Sequence, residues 1–267
     1  MKKVLACVLI TLMFGGCTNT GDGQGGWTNP DDSYTIPEKN MNMGVVIVGM
    51  EKSQAAGNCP GSYKDHMVMG DILSIYTDNI VKLANEKATK SAVTAALTDA
   101  IAKYEFVVFY YSGHGGGQKF DNTGPEEVDN QDEFLCFYDS FMLDNEVWSI
   151  ISKSKGRVFL MIDACHSQTM FRYTPKFMSF KKNILAATHK ESGDINMVCW
   201  SGCSDDKVSY GSASGGKFTN AFCKHFVLSL TYDQLWEKIE NDLTLKQYEE
   251  VQQTKIGEDF GNNKIFQ

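Results

Sequence analysis

Apolar runs too short to be helices alternate along this 267-residue chain with stretches in which apolar residues recur at helical spacing. Residues 43–50, Met-Gly-Val-Val-Ile-Val-Gly-Met, form a continuous apolar run rich in β-branched side chains, the pattern of a strand buried on both faces. Met67, Ile72, Ile75, Ile80 and Leu83 then share a broad helical face, and Thr89 caps a second helix carrying Val93, Leu97 and Ile101. Residues 106–111 predict the next buried strand, Asp144 caps a helix through Val147, Trp148 and Ile151, and residues 158–162 predict a third strand. Residues 171–196 break the rhythm. They are poorly periodic, carry Lys176, Lys181, Lys182 and Lys190, and read as a long surface excursion, a kind of loop that is usually functional. Residues 197–201 resume as a strand, 217–230 as a helix, and Thr231 caps a last helix through Leu235, Trp236 and Ile239. Strands alternating with helices imply right-handed crossovers and a mostly parallel sheet covered on both faces.

The N-terminal residues follow a different pattern. Lys2 and Lys3 precede an apolar stretch, residues 4–14, and the small-residue sequence Gly15-Gly16-Cys17, which together form a secretory leader too short to remain as a membrane span. A cysteine at that position resembles the lipobox of bacterial lipoproteins, which implies a signal peptide over residues 1–16, acylation of Cys17 and attachment to a membrane of the cell envelope. An ordinary secretory leader with an incidental cysteine is the alternative. Residues 17–42 read as the lipidated N-terminus and a flexible tether, rich in Gly, Asn, Thr and Asp, leaving 43–267 as one domain. The formal net charge of -8 argues against nucleic-acid binding and favours basic substrates. Cys59, Cys136, Cys165, Cys199, Cys203 and Cys223 are scattered through a domain with enough apolar residues to fold without a disulfide framework.

Two of the predicted strands end in chemistry-bearing residues. Tyr110-Tyr111-Ser112-Gly113-His114-Gly115-Gly116 delivers an imidazole into an open turn, and Met161-Ile162-Asp163-Ala164-Cys165-His166-Ser167 delivers a thiol in the same way. Ligands of open parallel sheets sit beyond the carboxyl ends of the strands, where both groups fall. A thiolate attacks a carbonyl far more readily than a thiol, and a neighbouring imidazole can generate it and then protonate the leaving amine. The expectation is Cys165 as nucleophile, His114 as general acid and base, and the backbone amides of Gly115 and Cys165 as oxyanion hole. Taken singly, each segment also has a plain reading, a packed cysteine and a Gly-His-Gly turn. Asp163 lies two residues before Cys165, so strand alternation sends its carboxylate to the same side, where it would pair with a guanidinium or ammonium group. The alternative is a carboxylate satisfied by turn amides. Alternation turns His166 to the opposite face.

These segments resemble the metacaspases and related bacterial caspase-like peptidases of clan CD. Phe109 to Gly116 is similar to that family's histidine motif, Ile162 to Ser167 to its nucleophile motif, and Cys199-Trp200-Ser201-Gly202-Cys203-Ser204-Asp205-Asp206 to a third, downstream segment. The resemblance implies a caspase-like three-layer α/β sandwich with a mostly parallel central sheet flanked by helices, and a cysteine endopeptidase cutting peptide or protein substrates after arginine or lysine. It places Asp65, in Tyr63-Lys64-Asp65-His66, as a second acidic pocket residue and Ser112 at the pocket wall; Asp65 as a plain helix-start residue is the alternative. It further implies calcium as an activator, held by Asp132, Asp144 and Asn145, although Arg172 stands where the family has a further aspartate. The competing reading of that acidic loop is a solvated, metal-free one. Cys199, Cys203, Cys223 and His225 do not follow a zinc spacing. A catalytically silent homologue acting as a binding module at the cell envelope, and a clan CD peptidase with another preference, are the rival functions.

Overall fold

The computed structural model describes residues 37–118, 132–164, 195–202, 211–245, 251–257 and 261–267. The chain divides into Met1–Glu38 and a compact unit, Lys39–Gln267, to which everything below belongs. In chain order that unit contains β1 (Met43–Gly49), a hairpin of β2 (Lys52–Ser53) and β3 (Gly57–Asn58), α1 (Ser62–Leu73), β4 (Ile80–Ala84), α2 (Lys90–Lys103) and β5 (Phe106–Ser112). There follow β6 (Gly115–Gln118), β7 (Asp132–Cys136), β8 (Phe141–Leu143), α3 (Asp144–Ile151) and β9 (Arg157–Asp163). The remainder is β10 (Asn196–Ser201), a hairpin of β11 (Gly211–Ser212) and β12 (Gly215–Gly216), α4 (Lys217–His225), α5 (Tyr232–Leu245) and β13 (Gln252–Ile256).

The main sheet runs β13-β10-β9-β5-β1-β4. All neighbouring pairs are parallel except β10 with β13, which is antiparallel. The apolar runs at 43–49, 106–112 and 157–163 occupy the interior of this sheet, as continuous β-branched and aromatic composition requires of strands covered on both faces. One face is largely aliphatic: Val46, Val48, Val107, Phe109, Leu160, Ile162 and Met197 pack with Val93 and Leu97 of α2 and with Val147 and Ile151 of α3. The other face is aromatic, where Phe159 and Trp200 meet Tyr232 edge to face at 4.9 and 5.9 Å between ring centroids. Helices on both faces of a mostly parallel sheet make the expected three-layer α/β sandwich.

Local signals account for several helix boundaries. Thr89 Oγ1 accepts from the Ala92 amide at 3.2 Å, and Thr231 with Gln234 forms a reciprocal cap, each side chain accepting from the other's backbone N–H. Asp144 is not the cap of α3 but its first residue; Leu143 occupies the cap position, and its amide is satisfied by the Glu146 carboxylate at 2.9 Å.

Two assignments from spacing need correction. Ile80 and Leu83 do not continue α1: the helix ends at Leu73, Thr77 donates its hydroxyl to Met43 O at 2.9 Å, and residues 80–84 pair with β1 as an edge strand. Five residues are too few to separate a period of two from one of 3.6, and sheet pairing decided the matter. The helix placed over 217–230 stops at His225, where Phe226 turns extended and packs its ring against Phe222 and Phe266. β13, Gln-Gln-Thr-Lys-Ile, was not anticipated, because a polar edge strand has no apolar periodicity to announce it.

Candidate active site

Strand register builds the site. Gly49, Ser112 and Asp163 are aligned across β1, β5 and β9 at the carboxyl end of the sheet. Side chains in this row point to the aromatic face, toward α1 and the start of α4. The Ser112 hydroxyl donates to Asp65 Oδ2 at 2.8 Å, and the Gly216 amide donates to the same oxygen at 2.9 Å. Asp163 Oδ2 accepts from both the amide and the hydroxyl of Thr219, at 2.9 and 2.6 Å. Behind Thr219, Tyr110 Oη lies 2.6 Å from the threonine oxygen.

Asp65 and Asp163, distant in sequence, therefore meet in one buried pocket, 3% and 5% exposed. The start of α4 explains how the pocket tolerates them. The first amides of a helix lack intrahelical partners and carry the positive end of its dipole, and here they are aimed at carboxylates instead of a local cap; Gly216, the cap residue, contributes no side chain. Burial, with the Asp163 charge adding to it, raises Asp65 to about 7, against the opposing donors Gly216 and Ser112 and the nearby Lys64. A side chain would crowd the carboxylates at two adjoining positions. A Cβ on Gly216 would stand 2.1 Å from Asp163 Oδ2, and one on Gly215, at φ +109, would stand 2.3 Å from Asp65 Oδ1.

His114 follows β5 by two residues and is half-buried. Its carbonyl accepts from Tyr111 Oη at 2.7 Å and from the Cys136 amide at 3.0 Å, which pins the backbone. Its Nε2 lies 2.9 Å from Asn58 O of β3. A carbonyl only accepts, so this contact makes Nε2 the protonated nitrogen of the neutral ring and leaves the Nδ1 lone pair as the base. Gly115 opens β6 beside it, opposite Leu135. Cys165, together with the second oxyanion amide, lies outside the described residues, as do Cys17, Cys203, Arg172 and the lysine-bearing segment.

The calcium candidates are arranged differently. Asp144 and Asn145 stand together at the start of α3, where Asp144 is buried and its Oδ1 accepts from the Asn145 amide at 2.7 Å. Asp132 begins β7, and its side chain is outside the described set. Among the described residues no group of three or more His, Cys, Asp or Glu is placed to hold a metal ion. Of the four residues that lack a zinc spacing, Cys199 packs in the aliphatic core and His225 pairs with Asp242 at 3.0 Å.

Sequence reasoning missed Thr219, Tyr110, Asn58 and the Gly215-Gly216 pair. The only local signal among them was the double glycine just before a helical pattern; nothing in the surrounding residues marks Thr219. It missed His66 as well, whose ring is buried against Gly49 with Nδ1 lacking a hydrogen-bond partner among the described residues. Burial, and secondarily Lys82, lowers His66 to about 4.

A family model described as the caspase domain matches residues 44–260. The fold is similar to that of protein GSU0716 from Geobacter sulfurreducens, with a TM-score of 0.64 and 21% identity over 81% of this chain and 94% of that one. It is also similar to caspase-1 from Spodoptera frugiperda, with a TM-score of 0.55 and 10% identity over 88% of this chain and 94% of that one. At these identities the likeness is one of fold. No curated protein matches the chain by sequence. The family match spans the sheet, the paired carboxylates and the histidine turn alike, and on that ground the chain belongs to the caspase-domain family of cysteine peptidases.

Proposed function

We propose that this chain is an endopeptidase that cleaves after arginine or lysine, with Cys165 as nucleophile and His114 as general acid and base. The observation that carries the preference is the buried Asp65 and Asp163 pair. Two carboxylates held together away from solvent, with Lys64 the cation acting on Asp65, favour a guanidinium or ammonium group, which relieves their mutual repulsion. Asp65 taking up a proton near neutrality is what such a pocket does while empty.

In this reading His114 accepts the thiol proton at Nδ1 while Nε2 stays bonded to Asn58 O. The thiolate adds to the substrate carbonyl, and the amides of Gly115 and Cys165 hold the developing oxyanion. His114 returns its proton to the departing amine, and water, activated by the same imidazole, releases the acyl group from sulfur. The same proposal includes attachment through lipid on Cys17 to a bacterial envelope membrane; no helix among the described residues is long and apolar enough to cross one. Calcium enters only as an activator to be tested, and no step above is routed through it.

The test is hydrolysis of fluorogenic peptides carrying Arg, Lys, Asn or Asp before the scissile bond, by the full chain and its Cys165→Ala variant, reduced, with calcium and with chelator. Cleavage after Arg and Lys that vanishes in the variant is the expected result. Turnover only after Asn or Asp would discard the basic preference, and peptide binding without turnover would identify a silent homologue. Incorporation of a palmitate analogue that is lost in Cys17→Ala checks the anchor.

A further inference from the structure

The carboxylates of the acidic pair are held by different means. Asp65 receives one side-chain hydroxyl, from Ser112 on the neighbouring sheet, and one amide at the α4 cap. Asp163 likewise takes one hydroxyl and one amide on its Oδ2, but both come from a single residue, Thr219, and its hydroxyl contact is the shorter, 2.6 against 2.8 Å. That hydroxyl has one proton, and Asp163 Oδ2 at 2.6 Å takes it; the Tyr110 hydroxyl, 2.6 Å away on the other side, must then donate to Thr219. With Asp163 ionised, proton counting gives the order Tyr110 to Thr219 to Asp163. Tyr110, Thr219 and Asp163 are all buried, so the chain runs away from solvent.

We infer that Thr219 is a positioning residue for the specificity carboxylate: backed by Tyr110, it keeps Asp163 ionised and aimed at the substrate cation, and it makes Asp65 the member of the pair that takes up the proton. This rests on the basic-residue pocket proposed above. The hydroxyl bonded to Asp163 is the closer of the two and is itself backed by Tyr110, which favours the charged form of Asp163, and the proton that two adjacent carboxylates share goes to the partner whose hydroxyl donor is longer. Among the described residues, the titratable groups interacting with the pair are Lys64 on α1, Tyr110 on β5 and Cys223 on α4. Tyr110 is driven well above its usual range and Cys223 up to about 12, in both cases mainly by burial, so both stay neutral at working pH. The pocket thus has two charge states near neutrality, and its attraction for a cation grows as the second proton leaves.

The experiment compares wild type with Thr219→Val, Thr219→Ser and Tyr110→Phe in the full chain. kcat/KM for arginine substrates is measured across pH, and the aspartate side-chain carboxyls are titrated by carbon-13 NMR. Thr219→Val keeps the shape but removes the hydroxyl; it should lower kcat/KM about tenfold or more and move the rise in activity with pH to higher pH, with both carboxyl signals shifting together through the transition. Thr219→Ser should restore the wild-type profile, and Tyr110→Phe should give a smaller shift in the same direction. A folded Thr219→Val protein with wild-type pH profile and carboxyl titration would overturn the inference. The NMR titration reads the proton's location without turnover, so an enzyme that cuts no basic peptide would refute the pocket reading while leaving this one separately decided.

Discussion

Two sets of acidic residues can be compared. Asp132, Asp144 and Asn145 are the residues that the family resemblance offers as calcium ligands, Asp132 in an oxygen-rich loop and the other two at the start of α3. Asp65 and Asp163 come from the start of one helix and the end of a strand, with nothing local to join them. Yet the second pair meets in a single pocket, while of the first set only Asp144 and Asn145, neighbours in sequence, have described side chains. Local density of carboxylates measures solubility as readily as function. Convergence at the edge of a parallel sheet is selective, because register and crossover fix which side chains arrive together, and a buried charge survives only where donors meet it.

The comparison breaks most sharply at Asp163. Asp163→Asn preserves the shape and removes the charge, and should cost about a hundred- to thousandfold in kcat/KM for arginine and lysine peptides, since truncating one side of a desolvated ion pair is expensive. Steady-state kinetics check this; a loss under threefold would remove Asp163 from the pocket role. Next comes Gly216→Ala, whose Cβ would press on the Asp163 carboxylate. Backbone and carboxylate cannot both stay, so a destabilisation of about 1–3 kcal/mol is expected in denaturant unfolding, together with weakened arginine selection.

Asp65 and His66, adjacent on α1, give a smaller effect with opposite signs. Asp65 is raised from 3.8 to about 7, so its contribution to stability is fully present below about 4 and is lost as pH rises through about 7. His66 is lowered from 6.5 to about 4; its contribution is present above 6.5 and is lost as pH falls through about 4. Thermal unfolding across pH should show Asp65→Asn gaining on wild type between about pH 4 and 7, and His66→Gln losing less than wild type between pH 6.5 and 4. Parallel curves for wild type and both variants would contradict the assigned burial.

The smallest effect is expected at Asp144, where Asn keeps an acceptor for the Asn145 amide. Asp144→Asn should change unfolding free energy by about 1 kcal/mol and leave the choice of arginine or lysine unaltered with chelator present. A calcium-dependent rise in wild-type activity that is absent in this variant would turn the first acidic set into a site and sharpen the contrast.

Much of this was legible in residue order alone. Continuous β-branched runs at 43–49, 106–112 and 157–163 could only be interior strands, because no other element buries such a run on both sides. Thr89 and Thr231 announced their helices through hydroxyls that act within three residues. The histidine turn and Asp163 were visible because they end such strands. What sequence could not supply were pairings made across the fold. Ile80 and Leu83 matched a helix until β1 offered them backbone partners. Gln252–Ile256 became a strand only because β10 had an open edge.

The chain by itself determined a buried parallel sheet, helices at its faces and the chemistry at two strand ends, since burial pattern and capping act over a few neighbouring residues. Tertiary structure decided that Asp65 joins Asp163, that Gly215 and Gly216 close over them, and that Thr219 and Tyr110 stand behind. Those choices depend on sheet register and on where the first amides of α4 arrive, and both are set by long-range packing that no local window contains.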